Sequence, residues 1–516
     1  QKAEITQLRN HLEVKLPDYM IPSAFVTLDE MPLSPNGKVD RRALPVPSME
    51  RPDLEQPYVA PRNKLEHYLE GIWREIIKLD RVGIHDRFFE LGGSSLQAAR
   101  FINRLQQELG ENIYIVSIFE SPTIAEYAAF LQRDYARSVS IKLGLEEVPV
   151  PEKQPVPKVA ADGEKIDVEM IALMHECIPT LSWDDKESDE PKNPPALFII
   201  SPPRSGTTLL RVMLAGHPDL FAASELQLLG FNTLQERKIA FVGKYSLWLE
   251  GTIRTIMEIK GCDAEEATRI MEEYQSSNYT TKQFYRVLQD WIGDKILVDK
   301  SPAYVSDLKA LEKAERDFRD PLYIHLCRHP YPMVRSFESY HMEQVLFLKS
   351  QPFSPLQLGE LLWLISHQNA LQFLRQVPPH RQYHMRFEDL VSQPQKVMEE
   401  LCKTFQLQFH SDLVRPYDKV EKKMTDGIHR ESKPMGDTKF LEYGKINPKV
   451  AETWKGVMTD NFLSDATWEL ASILGYEKPG SETLDHEIQP TARKRTARSR
   501  RELLEQSRQR RQRIRK

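Results

Sequence analysis

The residues best placed to do chemistry on an anion are Arg204-Ser205-Gly206-Thr207-Thr208, at the end of the stretch ALFIISPPRSGTTLLR (196–211). An apolar run of strand length, Ala196 to Ser201, passes through a Pro-Pro turn into a sequence that opens an apolar helix. Where a strand feeds such a loop into a helix start, backbone N–H groups converge and the helix dipole favours negative charge. The nucleotide-loop pattern G-x-x-x-x-G-K-[ST] is not met, because Arg204 stands where the phosphate-gripping Lys belongs and no early Gly opens the loop. A second Arg, Arg328, follows the apolar run Leu322–Cys327, and Ser336 lies eight residues on, in a helix begun near Pro332. A guanidinium fork and a short hydroxyl are suited to a phosphate. Magnesium-dependent phosphoryl transfer needs a carboxylate at a strand end, and YIHLC ends in Arg328 instead. The residues therefore weigh against a kinase, and no metal site is expected.

Together the two motifs resemble those of sulfotransferases that use 3′-phosphoadenosine-5′-phosphosulfate (PAPS). PRSGTT has their loop form, R-x7-S after a strand resembles their 3′-phosphate motif, and the separation of a little over 120 residues fits. The resemblance implies that Arg204, Ser205, Gly206, Thr207 and Thr208 bind the donor, with Arg328 and Ser336 on its 3′-phosphate. A sulfuryl group carries less charge than a phosphoryl group, so cationic side chains suffice without a metal. Glu225, in LFAASELQLLGF, sits where several such families keep a catalytic Glu or His, and is the first candidate for the base that takes the acceptor's proton. His429 (MTDGIHRES) and Tyr443 (FLEYGKINP) are further candidates, and the base stays open among them. Lys300 in ILVDKSPAY ends a strand, where its ammonium could reach the sulfuryl or bridging oxygen, and Arg204 would neutralise the departing phosphate. Tyr443-Gly444-Lys445, followed by Trp454, looks like the late loop that closes over the 3′-phosphate. Arg386, Glu388 and Asp389 (MRFEDLV) and His217 (LAGHPDL) read as structural. The product would be 3′,5′-adenosine diphosphate. The competing readings are a P-loop-type small-molecule kinase and a non-catalytic nucleotide-binding or docking module.

Upstream, Leu65, Leu69, Ile72 and Ile76 recur at helical spacing, and DRFFELGGSSLQAARFI (86–102) follows them. Two Gly permit a tight turn, and Ser95 opens a helix whose Leu96, Ala99 and Ile102 face inward. Ser121-Pro122 reads as a cap followed by Pro at the first helical position of a last helix that buries Ile124, Tyr127 and Leu131. Taken alone, Ser95 is an N-cap. The whole stretch, however, resembles a peptidyl carrier (thiolation) domain, which implies that Ser95, rather than Ser94, carries 4′-phosphopantetheine. A helix N-terminus suits that phosphodiester, and a phosphopantetheinyl transferase is then a partner. The first residues, LPDYMIPSAFVTLDEMPLSPNGKVDRRAL, resemble the C-terminal edge of a nonribosomal peptide synthetase adenylation domain, with Lys38 as the lysine that contacts the acyl-adenylate. The nucleotide-binding core is missing, so this remnant is not expected to adenylate anything.

The chain thus reads as multidomain: an α+β adenylation remnant (1–46), a linker (47–60), a four-helix carrier bundle (61–137), a Pro-rich linker (138–164), an α/β sulfotransferase domain with a central parallel sheet flanked by helices (165–479), and a basic tail (480–516). From Arg493 to the end, twelve Lys/Arg face two Glu, about +10, against a net charge of −5 for the 516 residues. No aromatic residues interleave that tail for base stacking, so a docking helix for a downstream subunit is the first expectation, solvated disorder the second and nucleic-acid binding the last. No apolar run reaches bilayer length, and four scattered cysteines without C-x-x-C spacing suggest reduced thiols in the cytoplasm. The acceptor implied by the carrier is an acyl or peptidyl chain delivered on a tether, loaded by upstream synthetase domains. No G-x-S-x-G elbow for product release occurs.

Overall fold

A computed structural model describes residues 56–144, 165–182, 190–419, 443–452 and 462–478, with single-residue gaps, and isolated positions elsewhere. The adenylation-like segment around Lys38, the candidate base His429, Trp454 and the basic tail lie outside the described residues. Residues 1–470 form one compact unit; of the second, 471–516, only 471–478 are described, where the helix Asp465–Ile473 ends.

Among the described residues, five helices precede the sheet domain: α1 (Lys64–Ile77), α2 (Ser95–Leu109), α3 (Ser117–Glu120), α4 (Ile124–Asp134) and α5 (Ala136–Leu143). Their apolar stripes meet in one core, with Leu69, Trp73, Phe88, Phe101, Tyr127 and Leu131 wholly buried. Val139 of α5 packs into the same core. The start of α4 differs from the sequence expectation. Its N-cap is Thr123, not Ser121, because Thr123 and Glu126 form a reciprocal capping box that satisfies two orphan N–H groups.

After α6 (Val168–Cys177) the chain builds an all-parallel sheet from β1 (Ala196–Ile200), β2 (Leu220–Ala222), β3 (Ile296–Asp299), β4 (Leu322–Cys327) and β5 (Gln382–Arg386), ordered β2-β3-β1-β4-β5. The sequence marks β1, β3 and β4 through their apolar runs. β2 has three residues and β5 reads QYHMR, so neither shows such a run. β1 is buried at all five positions, as a central parallel strand must be. Its alternate residues face two layers. Phe198 and Ile200 share a core with α8 (Leu234–Ala240), α9 (Glu250–Lys260), α10 (Ala264–Ser276), α11 (Thr281–Ile292) and α12 (Leu308–Asp317), whereas Leu197 and Ile199 share one with α7 (Thr207–Leu214), α15 (Phe387–Ser392) and α16 (Pro394–Thr404). Two further helices flank the site: α13 (Pro330–Ser339), which starts two residues earlier than expected because Pro330 takes its first position, and α14 (Pro355–Leu374). No helix among the described residues is long and apolar enough to cross a membrane.

Behind β4 and β5 three imidazoles touch: His325 Nε2 is 2.9 Å from His367 Nδ1, and His384 Nδ1 is 3.1 Å from His325 Nδ1. Burial pushes all three pKa values down, that of His367 to about 3. Unfolded imidazoles titrate near 6.5, so the cluster's contribution to stability is complete above that pH and is lost as pH falls toward the folded values. Acidification from pH 7 to 5 should therefore lower Tm less in a His367→Phe variant than in the parent chain. Equal slopes in calorimetry would remove the imidazoles as the cause.

Candidate active site

Each strand delivers one site residue just past its carboxyl end. Arg204 lies in the loop after β1, Glu225 follows β2, Lys300 follows β3, Arg328 follows β4, and Phe387 follows β5. β1 and β4 are adjacent although β2 and β3 intervene in sequence, so the connections change side between them. Open α/β sheets hold their ligands at such a switch point.

Arg204 at φ +62° and Gly206 at φ +89° bracket Ser205 and turn the loop's amides toward the start of α7. A Cβ on Gly206 would lie 2.2 Å from the Phe387 ring, so glycine is required both by the dihedral and by space. Ser205 Oγ is buried without a hydrogen-bond partner, and Thr207 and Thr208 are buried at the helix start. Arg204 Nε donates to Ser336 Oγ (3.1 Å), and its guanidinium lies 3.7 Å above the Tyr340 ring. Arg328 Nη1 donates to the Arg204 carbonyl (2.7 Å) and its guanidinium lies 4.9 Å from the centre of Phe387. Trp363 Nε1 in turn holds the Arg328 carbonyl at 2.9 Å. Two cations, a hydroxyl and a helix N-terminus so converge on one spot, an arrangement made for a polyanion.

Opposite stands a buried ion pair. Lys300 Nζ donates to Glu225 Oε1, and the two residues are only 2% and 7% exposed. Asp299 braces it from behind, accepting from Tyr285 Oη (2.5 Å), Tyr304 Oη (2.9 Å) and Ser301 Oγ (2.8 Å). Burial pushes the Asp299 pKa up to about 6, against the opposing pull of these three hydroxyls. The same hydroxyls reach across the site: Ser301 Oγ accepts from Gln227 N (3.0 Å) and Tyr304 Oη from Leu228 N (2.7 Å). Those bonds fix the turn after Glu225, where Gln227 sits at φ +51°.

A cavity of about 930 Å³ opens over these groups, and Arg204, Gly206, Thr207, Thr208, Glu225, Arg328, Ser336, Tyr443 and Lys445 line it. Ser205 and Lys300 stand behind its wall. Gly444, between Tyr443 and Lys445, turns at φ +63°. Ser95 begins α2, while its side chain and Ser94 lie outside the described residues. Glu388 Oε1 accepts from His329 N (2.9 Å), Asp389 pairs with Arg386 (2.8 Å), and His217 Nε2 donates to the Gln408 carbonyl (2.8 Å), all local fastenings. Sequence reasoning missed Tyr340, Phe387 and Asp299. Tyr340 is four residues past Ser336 and so shares its helix face, a signal that was readable; Asp299, a carboxylate closing the apolar run ILV, was another. Phe387 carries no local signal.

Residues 195–411 match the sulfotransferase family, and residues 67–131 match the phosphopantetheine attachment site. The fold matches the sulfotransferase domain from the curacin biosynthetic pathway at 40% identity and TM-score 0.52, covering 56% of this chain and 100% of that one. This chain belongs to the sulfotransferase family. A second such domain, from the Synechococcus PCC 7002 olefin synthase, matches at 34% identity and TM-score 0.50, over 57% of this chain and 99% of that one. The dimodular nonribosomal peptide synthase of Bacillus subtilis (strain 168) is 44% identical over 153 residues, 30% of this chain. The chain spans only 2% to 6% of the length of such curated relatives. A synthetase-type carrier and a sulfotransferase domain therefore share one polypeptide.

The sulfotransferase site depends on a close approach at the start of α9, where a Cβ on Gly251 would lie 1.9 Å from the Glu225 carbonyl oxygen. Gly251→Ala should destabilise the chain by about 1–3 kcal/mol, the usual range for overpacking, read as a lower denaturation midpoint at unchanged m-value. An unaltered midpoint would show that this contact is slack.

Proposed function

We propose that this chain transfers a sulfuryl group from PAPS to a hydroxyl of an acyl or peptidyl chain tethered through 4′-phosphopantetheine to Ser95. The observation that carries the reading is the convergence of Arg204, Arg328 and Ser336 with the buried Glu225–Lys300 pair around one cavity. The residues present fit the donor. The unpartnered Ser205 Oγ and the glycine cradle at 206 suit its 5′-phosphate, and Arg328 with Ser336 suits the 3′-phosphate, with Tyr443, Gly444 and Lys445 closing over it. They also fit the prosthetic group, since Ser95 begins a helix whose first amides would face its phosphodiester. That group supplies a mobile thioester tether. We place the carrier at 61–143, the expected 61–137 extended by α5 because Val139 packs into the carrier core, and the sulfotransferase domain at 165–479, joined by a Pro-rich connector; upstream synthetase domains would load the chain, and the basic tail would dock a downstream subunit.

Glu225 is the base. As the acceptor oxygen attacks sulfur, the new O–S bond forms and the bond from sulfur to the bridging oxygen breaks. The hydroxyl proton passes to Glu225, and the electron pair of the broken bond leaves on the phosphate of 3′,5′-adenosine diphosphate. Lys300 orients Glu225 before the reaction and offers its charge to the leaving oxygen, with Arg204 beside it. Because cations rather than a carboxylate-bound metal meet the leaving group, turnover should persist undiminished in EDTA.

Intact-protein mass spectrometry of the loaded chain tests the reading: PAPS should add one sulfuryl group to the carrier-bound acyl chain and none to a Ser95→Ala variant. Glu225→Gln should lower kcat by ~10²–10⁴-fold, as expected for loss of a general base, with 3′,5′-adenosine diphosphate still bound. Gly206→Ala should instead abolish that binding in calorimetry. Unchanged kcat in the first variant would remove Glu225 as base.

A further inference from the structure

Leu247 and Val345 belong by sequence to the sulfotransferase domain, yet they are buried in the core cluster of the carrier helices rather than in either layer of the sheet. Trp248 and Met342 pack against the same cluster. The two sequence segments that present them are a 3₁₀ turn at Gly243–Leu249 and a second at Met342–Gln344, tied together by Trp248 Nε1 donating to the Val345 carbonyl at 2.9 Å. Arg237, wholly buried, holds the first turn from beneath through the Trp248 carbonyl (2.8 Å) and the Gln227 carbonyl (3.1 Å), two residues from Glu225.

The carrier meets this face with matched groups. Tyr114, in the connection between α2 and α3, donates its hydroxyl to Met342 Sδ at 3.4 Å. Tyr135, at the end of α4, meets the His341 ring edge-on with centroids 5.7 Å apart. His341 is held toward its charged form first by its bond to Glu343, and then by the carrier carboxylates Asp134 and Glu111. Tyr114, Leu247, Trp248 and Val345 also line the reaction cavity, so the contact is at its rim. One residue before His341, Tyr340 supports the Arg204 guanidinium.

From this we infer that the face made by Leu247, Trp248, His341, Met342 and Val345 is the docking surface for the chain's own carrier domain, and that it seats the carrier at the mouth of the sulfotransferase cavity during transfer. The inference rests on the proposed delivery of the acceptor on that carrier. Docking in cis raises the local concentration of acceptor without tight intrinsic affinity. The apolar centre supplies burial, and the His341–Asp134–Glu111 charges set register.

His341 does not line the cavity, and its φ of +48° is one that Asp tolerates, so His341→Asp reverses the charge without refolding the turn. In the full chain this variant should turn over a hydroxyacyl group loaded on Ser95 roughly tenfold more slowly, while turning over the same group as a soluble pantetheine thioester within about twofold of the parent. Adding Asp134→Lys should restore the tethered rate. Hydrogen exchange provides a readout independent of activity: amides of residues 243–249 and 341–346 should lose protection in His341→Asp and regain it in the double variant. Unchanged tethered turnover, an equal fall with both substrates, or unaltered protection would each overturn the docking surface. If the parent chain turned over neither substrate, the functional reading would fail, and the exchange experiment would still decide the docking.

Discussion

The site depends on keeping one ammonium and one carboxylate, Lys300 and Glu225, together out of water. Removing both charges from solvent costs several kcal/mol per ion, and their attraction offsets this only when geometry is tightly held and neighbouring polar groups are satisfied. The surroundings meet that condition. Asp299, Ser301, Tyr285 and Tyr304 form a closed set of hydrogen bonds on the β3 side, and two of these hydroxyls fasten the backbone after Glu225 on the β2 side. Gly251 lets α9 come down on the Glu225 carbonyl. The pair is therefore gripped by elements on both strands that carry it, and neither residue can turn to solvent in search of another partner.

The second constraint is the closeness of two guanidinium groups. Arg204 and Arg328 are linked through the Arg204 carbonyl, and like charges so near each other repel unless something negative lies between or aromatic faces lie beneath. Tyr340 and Phe387 supply the faces. They reduce the cost of keeping both cations in place, and the remaining unfavourable energy is recovered when an anion arrives. The arrangement suits a ligand with negative charge at two points, and the donor proposed above, with its 5′ and 3′ phosphates, would be such a ligand.

Much of this was legible in the chain. PPRSGTT and R-x7-S are local patterns in which a strand end, a turn and a helix start follow within a dozen residues, so their chemistry can be read without the fold. The carrier helices were legible for the same reason, save for the cap of α4, where Thr123 outcompetes Ser121 by forming a reciprocal box with Glu126. What was hidden depends on pairs far apart in sequence. Phe387 under both Gly206 and Arg328, and Tyr304 reaching Leu228, are products of strand order, and the short β2 and the polar β5 that create that order have no apolar run to announce them. Glu225 stands out in the sequence only by resemblance, and Lys300, 75 residues away, becomes its partner only through the pairing of β2 with β3.

Strand order also explains why the helix after β4 and the turn that follows it reach both the Arg204 loop and the carrier helices. Ser336 meets Arg204 from within α13, Tyr340 meets it from the helix end, and the next five residues turn through His341 and Met342 to Val345, which is buried against the carrier. Nine residues therefore run from the Ser336 hydroxyl beside Arg204 to Val345 on the surface that meets the carrier helices. α13 ends at Ser339, and the left-handed backbone of His341 (φ +48°) bends the chain before the turn at Met342–Gln344, so the two surfaces are joined by a bent connection rather than by one rigid rod. A displaced carrier would leave Val345 and Leu247 in water, whereas the contact of Tyr340 with Arg204 lies on the sulfotransferase side of that bend. On the docking proposed above, carrier recognition and donor binding thus sit side by side on one short segment but on opposite sides of a bend, so the first can be lost without the second.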